Sequence, residues 1–301
     1  MGELANSVKV ELEAIAAARG GELKTQSYAA LAESEWMDVS APGEAQPIGH
    51  SHLVTKATRE IEEIFSRIGF VRERGHEVDW DWYAFESLNM PKEHPARDEW
   101  ETFFVGQKEG DIITNPKYGK MVLTPHTSNA QVRMLERKEF PVRSICVGKC
   151  FRRQSDASHV PMFHQFEGLY VDKDVTVAHL KGVLDYFVKS FFGPDRKTRL
   201  RPFHFRFTEP SFEIDVSCGV CGGTGLVDGA KCGLCKRGWL ELGGAGMTHP
   251  NVLKAGGVDP EKYGAFAFGW GVERTYMMKE GLAVPDIRLL YKNDLRFLKQ
   301  L

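Results

Sequence analysis

The 301-residue sequence predicts an α+β fold, because segments with the two-residue period of strands alternate with segments that have the helical period. The strand period is plainest in a hairpin at 144–171, where two alternating runs flank a polar turn, and it returns at 199–216. The helical period is plainest at 53–68 and 175–192. Together these segments indicate a domain with a sheet and packing helices.

The composition is that of an ordinary globular protein, with 42% hydrophobic and 27% charged residues. No apolar run approaches the roughly 20 residues that a membrane span needs, and the N-terminus lacks the character of a secretory or transit peptide. We therefore expect a soluble, cytoplasmic protein without membrane contact. A net charge of −2 predicts no general nucleic-acid surface, so RNA contact would need a local patch such as 196–206, or a partner.

Residues 1–46 are predicted to form a short N-terminal helical segment followed by a linker. Apolar residues recur at helical spacing up to a glycine pair at 20–21, after which prolines and glycines mark the linker. From Leu53 a new helical stripe runs to Ile68 and stops at Gly69. This stripe fits a surface helix packed on its own core, and the alternative is a subunit interface.

The hairpin carries polar residues at positions that suit a reaction site. Arg152 and Arg153 leave its first strand where the polar turn begins. Gln165 and Glu167 return on one face of its second strand. The pattern places a positively charged group that could bind a phosphate beside a polar face that could bind an amine. An ordinary amphipathic surface hairpin with an arginine pair has the same pattern, so the hairpin by itself leaves both possibilities open.

A second candidate site lies where a helix begins after His126, Thr127 and Ser128. Serine is a common N-terminal helix cap, and the N–H groups of a first helical turn attract anions such as a carboxylate. A third candidate is the segment that carries Phe205 and Phe207, which alternate along a strand before Glu209 and a proline bend the chain. These rings form either plain core or the wall of an aromatic pocket.

Four of the six cysteines form two CxxC pairs, separated by ten residues, at Cys218, Cys221, Cys232 and Cys235. Each pair is followed by glycines that permit a tight knuckle, and two such knuckles supply four thiolates in the tetrahedral arrangement that Zn²⁺ prefers. We expect a closed structural zinc site here, rather than a catalytic one, inserted between two strands.

Near the C-terminus, a small-and-aromatic strand leads into Gly269, Trp270 and Gly271 and then into a helix with Arg274 in its first turn. Glycines permit close backbone approach, and an arginine near a helix start faces an anion. The segment therefore predicts a strand, turn and helix that bind a nucleotide.

Taken together, these stretches resemble the alpha subunits of bacterial-type phenylalanyl-tRNA synthetases, which are class II aminoacyl-tRNA synthetases. The resemblance runs from about residue 47 to the end of the chain. Its carriers are the segments HPARDEWETFF at 94–104, HTS at 126–128, FRRQSDASHVPMFHQFEG at 151–168, DRKTRLRPFHFRFTEPSFEIDV at 195–216, GMTHPNVL at 246–253, FAFGWGVER at 266–274 and PDIRLLYKNDLRFLKQ at 285–300.

The resemblance implies the class II catalytic fold, an antiparallel sheet flanked by helices, over residues 47–301, with the four-cysteine zinc knuckle at 218–235 as an insert. It also implies that residues 1–46 are a reduced form of the coiled-coil arm with which this family reaches for tRNA. Asn129-Ala130 and Trp270 depart from the residues that the family usually has at these positions.

The resemblance further implies the reaction, in which the carboxylate of L-phenylalanine attacks the α-phosphate of ATP before transfer to tRNA(Phe). Arg152, Arg274 and His126 would be catalytic, with the two arginines on the α- and γ-phosphate respectively and His126 beside the reacting groups. Gly269 and Gly271 would line the ATP site. The residues implied for phenylalanine binding are Ser128, Gln131, Gln165, Glu167, Phe205, Phe207, Ala267 and Trp100.

By the same resemblance, Glu209 would hold Mg²⁺ jointly with a beta subunit, in an alpha2beta2 heterotetramer. A competing hypothesis is a non-catalytic paralogue of the class II synthetases that binds RNA or protein. Retention of Arg152, Gln165, Glu167 and Arg274 argues against that alternative.

Overall fold

A computed structural model describes residues 2–38, 40, 43, 49–93, 102–106, 108, 111–153, 159–279, 284 and 286–299. The chain divides into two compact units, 1–49 and 50–301. None of the helices in the described part of the chain combines the length and the apolar character needed to cross a bilayer.

The first unit contains one long helix, α1 (Gly2–Ser34). The prediction of a short helix ending at the glycine pair was therefore wrong, since α1 continues through Gly20 and Gly21. Each glycine costs about 1 kcal/mol relative to alanine within a helix, which weakens the helix without ending it. Strong helix formers lie on both sides, and an ion pair of 2.7 Å between Arg19 and Glu22 spans the glycine pair.

The described residues of the second unit form strands of very different lengths. They are β1 (Val71–Glu73), β2 (Val78–Trp80), β3 (Thr114–Asn115), β4 (Gly119–Leu123), β5 (Val142–Phe151), β6 (Met162–Asp172), β7 (Thr198–Phe203), β8 (Thr208–Ser217), β9 (Leu226–Val227), β10 (Ala230–Lys231), β11 (Trp239–Thr248) and β12 (Gly264–Gly271).

Helices connect and cover these strands. The α-helices are α2 (Leu53–Ser66), α3 (Asp81–Ala84), α4 (Asn129–Glu136), α5 (Val177–Phe192), α6 (Pro250–Ala255), α7 (Val272–Met277) and α8 (Leu295–Leu298), and two 3₁₀ helices span Glu86–Leu88 and Ile287–Tyr291.

The main sheet has seven strands in the order β1-β5-β6-β12-β11-β8-β7. All neighbours in it are antiparallel except the edge pair β1 and β5. The predicted hairpin is confirmed as β5 and β6, whose register places Gly148 opposite Gln165 and Cys146 opposite Glu167. The α+β fold with an antiparallel sheet flanked by helices is therefore confirmed.

The two faces of this sheet have different roles. One face carries Phe166, Phe268 and Trp270, which pack with the apolar sides of α2 and α5 in the larger core. The opposite face carries smaller side chains, among them Ala265 and Ala267, and packs in part against α3, α4 and α6. Because side chains alternate along a strand, β12 can anchor the core through its aromatic residues and leave space on the other face.

Two local predictions need correction. Residues 204–207 form a turn between β7 and β8, so Phe205 and Phe207 do not lie in a strand and the bend precedes Glu209. The Ser211 hydroxyl group stabilises this turn, because it donates to the Thr208 carbonyl oxygen at 2.7 Å and accepts from the Phe205 amide at 3.2 Å. The second correction concerns Ser128, which precedes α4 but does not cap it with its side chain.

Candidate active site

A cavity on the small-residue face of the sheet brings together residues from six parts of the chain, and we call it the aromatic cavity. Its lining consists of His126, Ser128, Gln131, Arg152, Gln165, Glu167, Phe205, Phe207, Thr208, Gly244, Ala245, Ala267, Phe268 and Gly269. One wall is polar and comes from α4, the segment just before it and β6, whereas the other is aromatic and comes from the turn between β7 and β8. The cavity therefore offers a polar end and an apolar end.

The Glu167 carboxylate is the centre of the polar end. Its Oε2 accepts hydrogen bonds from the hydroxyl groups of Thr127 and Ser128, at 2.9 and 2.6 Å, and from the Gln165 amide at 3.2 Å. The Gln131 amide donates to Oε1 at 2.6 Å. The Ser128 side chain thus binds this carboxylate instead of capping α4, which explains the missing cap.

Burial sets the electrostatic state of this carboxylate. Glu167 is only 5% exposed, and desolvation raises its pKa above the ordinary value, although its four hydrogen-bond donors act in the opposite direction. A cation that entered the cavity would favour the ionised form and would be bound in a medium of low dielectric constant. The site is therefore suited to an ammonium group.

The strand register explains why glycine stands opposite this carboxylate. Gly269 on β12 pairs with Glu167 on β6. A Cβ atom at Gly269 would lie 2.8 Å from the Gln165 amide nitrogen and 3.2 Å from a Glu167 carboxylate oxygen. Any larger residue at this position would displace the two polar side chains, so the glycine keeps the polar end of the cavity open.

The buried imidazole of His126 is engaged by backbone groups on both sides. Its Nε2 lies 2.9 Å from the Ala84 carbonyl oxygen, and its Nδ1 accepts the Ser128 amide at 3.2 Å. These partners require the tautomer that is protonated at Nε2. Burial, together with the nearby Arg152 charge, lowers the pKa of His126 to about 3, so the ring is neutral at physiological pH.

The apolar end of the cavity is formed by the rings of Phe205 and Phe207. The two ring centroids are 5.4 Å apart, with an angle of 17° between the planes. Ala267, which is 5% exposed, lines the cavity from β12. Gly244 lets the aromatic turn approach β11, since a Cβ at this position would lie 2.8 Å from the Phe205 ring.

A second cavity adjoins the aromatic cavity, and we call it the arginine cavity. Its lining residues are Arg152, His159, Val160, Phe163, Gln165, Glu241, Leu242, Gly243, Gly244, Gly269, Trp270, Gly271, Glu273, Arg274 and Ile287. Four residues line both cavities: Arg152, Gln165, Gly244 and Gly269. A ligand in each cavity would therefore meet its neighbour beside Arg152.

The Arg152 guanidinium group is held between backbone and aromatic ring. Its Nε donates to the Pro125 carbonyl oxygen at 3.1 Å, and its central carbon lies 5.0 Å from the centroid of the Phe163 ring. Burial lowers the pKa of Arg152 from its usual value, but an arginine remains charged in proteins. Arg274, by contrast, is exposed on α7 and faces the arginine cavity from the other side.

The four cysteines of the two CxxC pairs form a cluster beyond the junction of β8 and β11. Their sulfur atoms all lie within 4.8 Å of one another. The Cys218 and Cys232 sulfurs are 4.0 Å apart and the Cys221 and Cys235 sulfurs 3.4 Å. Tetrahedral zinc with bonds of about 2.3 Å would require sulfur separations of about 3.8 Å, so the cluster fits this metal.

Comparisons with known proteins agree with this geometry. A family model described as the tRNA synthetases class II core domain (F) matches residues 36–301. The phenylalanine–tRNA ligase alpha subunit of Heliobacterium modesticaldum is 46% identical over 303 residues, which cover 100% of this chain and 83% of that relative. The chain belongs to the class II phenylalanine–tRNA ligase alpha subunit family.

Other members of this family show the same degree of similarity. The alpha subunit of Citrifermentans bemidjiense is also 46% identical, over 301 residues and with the same coverage of both chains. A crystal structure of pyrrolysyl-tRNA synthetase from Desulfitobacterium hafniense superposes with a TM-score of 0.57 and 16% identity, covering 81% of this chain and 75% of that one. That likeness shows the shared fold alone. The predicted family and the predicted ligase class are therefore confirmed.

The structure brings most of the predicted site residues together in the two cavities. Seven of the eight residues implied for phenylalanine binding line the aromatic cavity, and the eighth, Trp100, lies outside the described residues. The four residues implied for ATP, Arg152, Arg274, Gly269 and Gly271, line the arginine cavity. Glu209 is exposed at the start of β8 and lines neither cavity.

Thr127 and Gly244 were not among the predicted site residues. Thr127 donates to Glu167, and the position of this residue between His126 and Ser128 was a signal that could have identified it. Gly244 lines both cavities and comes from β11, opposite Gly269. Only the strand register reveals its place, because the sequence around it has no ligand-binding pattern.

Proposed function

We propose that this chain activates L-phenylalanine with ATP, forming phenylalanyl-adenylate, and transfers the phenylalanyl group to tRNA(Phe). The observation that carries the proposal is the junction of the two cavities at Arg152, with a buried carboxylate and an aromatic wall on one side and Arg274 on the other. We place the catalytic domain at 47–301 and the insert at 218–235, after a helical segment and linker at 1–46.

In this proposal phenylalanine lies across the aromatic cavity. Its ammonium group binds Glu167 and Gln165, and its ring packs against Phe205 and Phe207. Its carboxylate then points to Arg152, where the two cavities meet. Ala267 leaves room around the ring, and exclusion of tyrosine would depend on an apolar pocket that offers no partner to a hydroxyl group. A pocket of this kind gives only about 10²-fold discrimination against an added hydroxyl.

The arginine cavity would hold ATP with its α-phosphate at Arg152 and its γ-phosphate at Arg274. A carboxylate oxygen of phenylalanine attacks the α-phosphorus, the bond from that phosphorus to the bridging oxygen breaks, and pyrophosphate leaves. A terminal ribose hydroxyl of tRNA(Phe) then attacks the carbonyl carbon of the adenylate and releases AMP. The chain supplies positioning and charge neutralisation to both steps.

We assign His126 a positioning role within this site. A neutral ring with both nitrogen atoms engaged by backbone groups is not suited to donate a proton near pH 7. Its contacts instead hold the segment that carries Thr127 and Ser128 against Glu167. The predicted catalytic role of His126 thus becomes the shaping of the polar end of the cavity.

Mg²⁺ is the metal that the proposed reaction uses, since a bound Mg²⁺ neutralises charge on the phosphates of ATP. Glu209 offers an exposed carboxylate, the oxygen ligand that Mg²⁺ prefers, and we propose that it holds the ion together with a beta subunit. The proposed assembly is an alpha2beta2 heterotetramer with that beta subunit, which acts on tRNA(Phe).

We also propose that the four-cysteine cluster holds one structural Zn²⁺. Elemental analysis of the purified protein is expected to show about one zinc per chain, because four sulfurs with this spacing form a closed tetrahedral site. A Cys232→Ser Cys235→Ser variant should lose that zinc, whereas Cys146→Ser should retain it, since Cys146 lies on β5 outside the cluster. A folded wild-type protein without zinc would contradict the assignment.

The reaction itself is tested by phenylalanine-dependent exchange between ATP and pyrophosphate. The chain co-expressed with the beta subunit from the same genome is expected to catalyse this exchange with phenylalanine, and with tyrosine about 10²-fold less well. A screen of all proteinogenic amino acids gives the matched control. An assembled complex that exchanges with none of them would contradict the proposal and favour a non-catalytic paralogue.

A further inference from the structure

The 3₁₀ helix Ile287–Tyr291 near the C-terminus reaches back to three separate parts of the domain. The His52 Nε2 lies 2.7 Å from the Leu290 carbonyl oxygen, while the Nδ1 of the same ring accepts the Val54 amide at the start of α2. Tyr291, at the end of this helix, makes further contacts to residues of β6 and α7. A segment close to the end of the chain thus binds elements that flank the arginine cavity.

The contacts of Tyr291 centre on Glu273, whose side chain is almost fully buried. A single carboxylate oxygen, Oε1, accepts the backbone amide of His164 at 2.7 Å, lies 2.9 Å from the His164 Nδ1 and accepts the Tyr291 hydroxyl group. The rings of His164 and Tyr291 are stacked with an angle of 5° between their planes. Burial first, and then the adjacent carboxylate, raise the pKa of Tyr291, so its hydroxyl group stays protonated and remains a donor.

The residues adjacent to this cluster in the chain line the arginine cavity. Glu273 precedes Arg274, and His164 follows Phe163, the ring against which Arg152 lies. Ile287, at the start of the 3₁₀ helix, also lines this cavity. A shift of the Glu273 carboxylate would therefore move both arginines that face the cavity, one through α7 and the other through β6.

We infer that Tyr291 and Glu273 are positioning residues of the nucleotide site, which hold Arg274 and the Phe163–Arg152 pair at the separation that ATP requires. This inference rests on the proposed function. It assigns the C-terminal 3₁₀ helix a role in nucleotide affinity, whereas the aromatic cavity lies outside its contacts.

Tyr291→Phe tests this role, because it keeps the ring and its stacking on His164 but removes the hydroxyl group. In the complex with the beta subunit, the KM for ATP in the exchange reaction is expected to rise about tenfold, as for loss of a hydrogen bond to a charged group. The KM for phenylalanine is expected to rise less than the KM for ATP, because Glu167 and the aromatic wall of the aromatic cavity lie outside the contacts of the 3₁₀ helix. Tyr170→Phe is the matched control, because its hydroxyl group donates to Asp172 at 3.0 Å near the other end of β6.

A purely structural role makes a different prediction. It would lower the melting temperature of Tyr291→Phe and leave the ratio of the two KM values unchanged, and that result would overturn the inference. Glu273→Gln and Glu273→Ala give a second comparison: glutamine keeps an acceptor oxygen, so its KM for ATP should lie between those of the wild type and the alanine variant.

The affinity for ATP, measured by titration calorimetry in the absence of amino acid, separates this inference from the proposed function. A wild-type complex that binds ATP but shows no exchange would contradict the function alone. If the Tyr291→Phe complex bound ATP as tightly as the wild type, the positioning role would be wrong whatever the exchange assay showed.

Discussion

Glu167→Gln is expected to lower kcat/KM for phenylalanine by about 10²- to 10⁴-fold, because removing one charge of a buried ion pair costs about 3–5 kcal/mol. Glutamine has the size of glutamate, so the cavity keeps its shape. In the wild type, four hydrogen-bond donors point at the Glu167 carboxylate. In the variant, the NH₂ group of the glutamine amide would face some of these donors and could not accept from them. The substrate ammonium group would also lose its counter-charge. The measurement is phenylalanine-dependent exchange over a range of phenylalanine concentrations.

Glu213→Gln is the matched control for this prediction. Glu213 is also a glutamate on a strand of the main sheet, and it forms an ion pair of 2.8 Å with Arg201, but it lines neither cavity. Its replacement is expected to leave kcat/KM within about twofold, as for most partly exposed ion pairs. An unchanged KM for phenylalanine in Glu167→Gln would show that the ammonium group binds elsewhere.

Arg152→Ala is expected to lower kcat for exchange by about 10²- to 10³-fold, the usual loss when a preorganised group that stabilises developing charge is removed. Arg152 stands where the two cavities meet, so it can contact the attacking carboxylate and the α-phosphate at once. The effect should fall mainly on kcat, because charge at the α-phosphate changes most in the transition state. Exchange at saturating ATP and phenylalanine measures this loss.

Two further variants test whether the loss of kcat is specific to the guanidinium group of Arg152. Arg152→Lys should recover only part of the activity, since lysine is a point charge that cannot form the same pair of parallel hydrogen bonds. Arg153→Ala, in which an exposed side chain 5.4 Å from the Phe103 ring is lost, is expected to change kcat less than about tenfold. Near-normal exchange by a correctly folded Arg152→Ala complex would contradict the assignment of Arg152.

Local patterns in the sequence were sufficient for the elements whose structure depends on neighbours in the chain. The two-residue period predicted the hairpin of β5 and β6, and the helical stripes predicted α2 and α5, because each pattern places apolar side chains on one face. The CxxC spacing predicted the four-cysteine cluster, because each pair brings two thiols together in one tight knuckle. The family resemblance then supplied about half of the residues that line the two cavities.

Tertiary structure alone decided which partner each polar group has. Ser128 could cap a helix by its residue type, but it binds Glu167, which lies 39 positions away in the chain. The His126 ring is neutral because it is buried, and burial depends on how the whole domain packs. The contact between Tyr291 and His164 spans 127 positions. Local propensity contains no information on such distant partners, because strand register and core packing determine which residues meet. Register and packing also decide how the two cavities meet at Arg152.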